Sequence, residues 1–95
     1  MKKATYLECA RKYLGYTQIE IAQLCGMTRQ RYSALEKGDK GLKFIEVTRV
    51  FYTIKYSDKK QCRPFSWTYD LPYGFDQKTI DELHLEQMLD FIEIE

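Results

Sequence analysis

Cysteine, histidine and proline are all scarce in this chain of 95 residues, and each scarcity is informative. The three cysteines, Cys9, Cys25 and Cys62, form an odd set with no CxxC pair and no Cys/His spacing. That argues against a zinc site and for a reducing compartment, with thiols buried or idle. The single histidine, His84, lies among acids on an expected helix and reads as a surface residue. No nucleophile–base pair, phosphate loop or carboxylate constellation can be assembled, so neither enzyme activity nor a cofactor or metal is expected. No apolar run approaches the ~20 residues that cross a bilayer. The start, MKKATYLECARKY, is basic, but Glu8, Arg11 and Lys12 interrupt its apolar character. It is not expected to be a signal peptide, and the chain is expected to be cytoplasmic, away from membranes. The two prolines, Pro64 and Pro72, fall within residues 55–75 together with Gly74. There KYSDKKQCRPFSWTYDLPYGF reads as a short strand or an ordered aromatic loop built on Phe65, Trp67 and Tyr69.

Charge is plentiful but unevenly placed. Residues 1–63 carry fourteen Lys/Arg against six acids, a balance of +8, whereas residues 64–95 carry one base and eight acids, a balance of −7. A basic first part suits a polyanion surface, and an acidic tail suits a separate assembly element. Two solvated faces that partly neutralise each other would have the same composition.

The first part reads as four helices. Leu7, Ala10 and Leu14 share one helix face, closed by Gly15. TQIE at residues 17–20 is a capping box, with Ile21, Ala22 and Cys25 as the apolar face and Gly26 as the stop. After the plug Met27, Thr28 caps a third helix with Tyr32 and Leu35 inward, ended by Gly38. A fourth runs over roughly 43–54 with Phe44, Val47, Val50, Phe51 and Ile54 inward, and lacks a good cap at Lys43. In the tail, Asp76 and Thr79 are cap candidates, and Thr79 with Glu82 forms a second capping box. Leu85, Met88, Leu89 and Ile92 repeat at helical spacing, while the closing FIEIE alternates and suits a strand as well.

On these residues the first fifty-four positions resemble the Cro/C1-type helix-turn-helix family. Arg11, Gly15, Thr17, Gln18, Glu20, Ile21, Ala22, Gly26, Met27, Thr28, Tyr32, Ser33, Leu35, Glu36 and Gly38 match its pattern without a gap. Leu42, Phe44, Val47, Val50 and Ile54 carry the register onward. Tyr32 stands where the family usually has Ile or Val, Phe51 fills a usually small site, and Leu42 replaces a common Pro, which suggests a widened core. The resemblance implies that the third helix enters the major groove of DNA. Arg29, Gln30 and Ser33 are the implied base readers, with Thr28 at the helix start and Arg31 reaching a phosphate or neighbouring base. Gln18, at the start of the second helix, is an implied phosphate contact. Lys37, Lys40 and Lys43 are expected to meet the backbone, and Arg11 with Glu36 to form a structural ion pair.

The expected architecture is mainly α. It is a compact helical bundle with a lambda-repressor-like helix-turn-helix, an aromatic loop or short strand, and a C-terminal amphipathic helix. Residues 1–56 would be the DNA-binding domain, and 57–95 a connector and acidic helix. The expected function is a transcriptional regulator of phage or mobile-element type, dimeric on a palindromic double-stranded DNA operator. The dimer would form through Leu85, Met88, Leu89 and Ile92, more apolar surface than a lone helix should leave in water. Alternatives are an autoregulating antitoxin whose acidic tail holds a basic toxin, and a protein-interaction module on the same scaffold.

Overall fold

The computed structural model describes residues 2–39, 41, 43–57, 71–72 and 74–94. Lys40, Leu42, Cys62 and the aromatic residues Phe65, Trp67 and Tyr69 lie outside them, so the expectations placed there have no structural counterpart. Among the described residues the order is β1 (Lys2–Thr5), α1 (Tyr6–Leu14), α2 (Gln18–Cys25), α3 (Arg29–Glu36), α4 (Phe44–Lys55), α5 (Gln77–Asp81), a 3-10 turn (Leu85–Gln87) and β2 (Phe91–Ile94). The fold is mainly helical, with one two-stranded sheet. No described helix is long and apolar enough to cross a membrane.

Local chemistry sets the helix ends. Gly15, Gly26 and Gly38 adopt φ of 86°, 70° and 84°, a region that penalises any side chain, and each turns the chain just past a helix. At α2 the capping box closes both ways. The Glu20 N–H donates to the Thr17 hydroxyl at 3.1 Å and the Thr17 N–H to the Glu20 carboxylate at 2.8 Å. α4 starts without a side-chain cap. Its β-branched Thr48 and Thr53 turn their hydroxyls back onto the carbonyls of Phe44 and Arg49, at 2.9 and 2.8 Å.

One core joins α1, α2, α3 and α4 through Leu7, Leu14, Ile21, Tyr32, Leu35, Val50 and Ile54, all at 0–1% exposure. Ile80, Leu83 and Met88 from the second half of the chain belong to the same core. Lys55 fastens that half in place: its ammonium donates to the carbonyls of Ile80 at 3.2 Å, Leu83 at 3.1 Å and also Asp81.

Here three expectations are corrected. No amphipathic helix spans residues 79–92: α5 is capped by Asp76, which accepts from the Thr79 N–H at 3.1 Å, and ends at Asp81. The Thr79–Glu82 box does not form. Leu85, Met88, Leu89 and Ile92 therefore share no outward stripe. Met88 is fully buried, Leu85 and Leu89 pack against the main core, and Ile92 packs beside Ala4, Cys9 and Ile94. Of the four side chains expected to form a dimer, Met88 therefore offers no surface, and Leu85, Leu89 and Ile92 stay only partly exposed on separate packing faces. The cause is tertiary pairing. β2 runs antiparallel to β1, with Ala4 opposite Ile92 and Lys3 opposite Glu93. The N–H groups of Tyr6 and Leu7, unpaired at the start of α1, donate to the carbonyls of Asp90 (3.1 Å) and Met88 (3.0 Å). Phe44, expected inward, is also corrected: it is 72% exposed at the first residue of α4.

Candidate nucleic-acid interface

α3 begins at the surface. The Thr28 hydroxyl accepts from the Arg31 N–H at 3.2 Å and fixes the first turn. Arg29 and Gln30 follow, both exposed, and among the described residues nothing holds their side chains. An unheld guanidinium and an unheld amide on adjacent positions suit the paired contacts made to guanine and to adenine. Ser33 lies one turn on and is half-buried. Lys37 caps the far end of α3 and Lys43 precedes α4, both exposed, so they flank the helix as cations.

The back of α3 is anchored deeply. Arg11 on α1 donates from Nε to Glu36 Oε1, and the two side chains are 7% and 1% exposed. A second Arg11 nitrogen donates to the Tyr16 carbonyl at 2.8 Å. The Tyr32 hydroxyl donates to Glu36 Oε1 at 3.2 Å, and burial, then the charge of Glu36, pushes its phenol well above the usual range. It therefore stays protonated and able to donate. From β1 the Thr5 hydroxyl donates to the Glu36 carbonyl at 2.8 Å. The Arg11–Glu36 pair implied by the resemblance is thus present, as the centre of a buried network.

Gln18 belongs to that network. Its amide nitrogen donates to Glu36 Oε2, while its backbone remains at the start of α2. Arg31 is committed too: Nε and Nη2 both donate to the Glu46 carboxylate, the latter at 2.8 Å. This hydrogen bond is the main reason the Glu46 carboxyl lies below its ordinary range. Sequence reasoning named neither Glu46 nor Arg49, whose guanidinium donates to the Cys25 carbonyl at 3.2 Å and ties α4 to the end of α2. Glu46 carried only a weak signal, an acid in the first turn of a helix. Its partner lies fifteen residues away, beyond local pattern reading.

The structure thus gathers a helix start bearing Arg29 and Gln30, an ion-paired Arg31 beside it, and flanking lysines. Residues 10–49, which span α2, α3 and the turns between them, match a family model described as Helix-turn-helix. No curated protein matches the chain.

Proposed function

Residues 10–49 are a helix-turn-helix of the Cro/C1 type, the fold of a DNA-binding regulator, and from that premise we propose that the chain is a sequence-specific, double-stranded DNA-binding transcriptional regulator of the phage or mobile-element type. The observation that carries the reading is the state of α3. Its rear is locked by the Glu36 network, while Arg29 and Gln30 at its front are exposed and, among the described residues, unheld. A rigid helix with open hydrogen-bonding ends is what base readout needs.

An eight-residue recognition helix covers only a few base pairs. We therefore read the active form as two copies on a palindromic operator, with half-sites roughly 34 Å apart. Selection of bound sites from a random duplex pool tests this. The expected result is an enriched inverted repeat, with affinity falling steeply as salt rises. Equal binding to all duplexes would overturn sequence-specific regulation. Enrichment of a single half-site by a monomer would overturn the two-copy form.

A further inference from the structure

We propose that Glu46 is a positioning residue that converts Arg31 from a general phosphate contact into a reader of one base edge, best matched by the O6 and N7 of a guanine. The inference rests on the DNA-binding reading above and adds a residue and a base to it.

The geometry is specific. A guanidinium has five N–H donors in a rigid plane. Glu46 takes the side-on pair, from Nε and Nη2. That leaves the end-on pair, from Nη1 and the outer N–H of Nη2, and no other described residue accepts from it. The end-on pair is a fork of the kind that meets guanine O6 and N7. With two donors fixed, the plane of the fork is set before any DNA arrives, so little side-chain freedom is lost on binding.

Charge points the same way. Phosphate attraction depends on net charge, and the Arg31–Glu46 pair has none. A phosphate approaching the fork also meets the neighbouring carboxylate, whereas a base edge carries no formal charge to repel. The pairing thus weakens the contact that every duplex offers and keeps the one that a particular base pair offers. Arg29, two residues earlier, has no such partner among the described residues and remains a full cation. Glu46 is well placed to hold its half. It sits in the first turn of α4, where the helix dipole favours an anion, and its side chain is 12% exposed against 46% for Arg31.

The test uses the full chain on three duplexes across a salt series: the selected site, that site with one guanine replaced, and a random sequence. Glu46→Gln should bind the random duplex several-fold more tightly, with a salt slope steeper by about 0.9, the release expected from one further phosphate. Its preference at one G·C pair should fall several-fold. Arg31→Ala should lose the same preference, and adding Glu46→Gln to it should change nothing more. Glu46→Asp keeps the charge but shortens the reach, so it should lose preference while keeping the wild-type salt slope. Glu46→Gln that binds every duplex more tightly with preference intact would overturn the proposal, leaving Arg31 as a masked phosphate contact. Unchanged slope and preference would overturn it as well. Both results require a wild-type protein that selects a site. Failure of the wild type to select one would remove the DNA-binding reading itself.

Discussion

Two arginine–glutamate pairs bracket the recognition helix, and they differ in almost everything but composition. Arg11–Glu36 closes the rear of α3 with side chains 7% and 1% exposed, inside a network that also takes up Tyr32 and Gln18. Arg31–Glu46 flanks its front, with the arginine half in water. A buried pair adds little net stability, yet losing one member strands the other's charge away from solvent. An exposed pair loses hydration cheaply, is screened, and contributes little to folding. The rear pair is thus a fixture of the fold, whereas the front pair is the one that we propose serves recognition. The same two residue types thus anchor one end of the helix in the core and orient a half-exposed side chain at the other.

The contrast breaks most visibly at Glu36. Glu36→Ala should destabilise the protein by about 3–5 kcal/mol, leaving Arg11 buried and unpaired, and DNA binding should vanish with the fold. Denaturant unfolding checks it, and a loss as mild as that of Glu46→Gln would erase the distinction. Met88→Ala probes whether the tail shares the rear's role. It should cost about 2–5 kcal/mol, as a fully buried side chain in the common core. At the front, Gln30→Ala should cost roughly 1–3 kcal/mol of operator binding and relax one or two base pairs, with the unfolding midpoint unmoved. Arg31→Ala should lower the unfolding midpoint only slightly, since the arginine half of the pair it breaks is open to solvent. An effect absent at neutral pH concerns the shell around the rear. Burial pushes the Cys9 thiol up to about 12 from its ordinary 9.0. The unfolded chain then ionises first, so this contribution to stability is intact below pH 9 and is lost progressively as pH rises through about 12. Unfolding midpoints over alkaline pH, compared with Cys9→Ala, isolate it.

What could be read in advance was chemistry confined to neighbouring residues. Thr17 and Glu20 lie three apart, and Gly15, Gly26 and Gly38 each need only their own backbone, so the helix ends were legible. The surface positions of Arg29 and Gln30 followed from that register. The Arg11–Glu36 pair came through the family resemblance, since nothing local links residues 25 apart. The tail shows the opposite case. Leu85, Met88, Leu89 and Ile92 satisfy a helical template, but the carbonyls of Met88 and Asp90 are taken by α1 and the next four residues by β1. The alternation of FIEIE was the truer signal, and only a partner strand at the other end of the chain could decide for it. Gln18 on Glu36, Arg31 on Glu46 and Lys55 on three carbonyls are likewise meetings of distant residues, invisible to periodicity.

The pairing of β1 with β2 has a consequence in time. Phe91 lies over Gly38, where even an added Cβ would come within 3.0 Å of its ring, so the last strand braces the turn that ends the recognition helix. Lys2 pairs with Ile94, a separation close to the whole chain, and contacts of that span form late because so much chain must first be closed into a loop. On a ribosome, residue 94 must be synthesised before the first strand can find its partner. A nascent chain would thus carry the complete helix-turn-helix sequence while α3 still lacked its brace. The helix-turn-helix would gain its brace only once residue 94 had been translated.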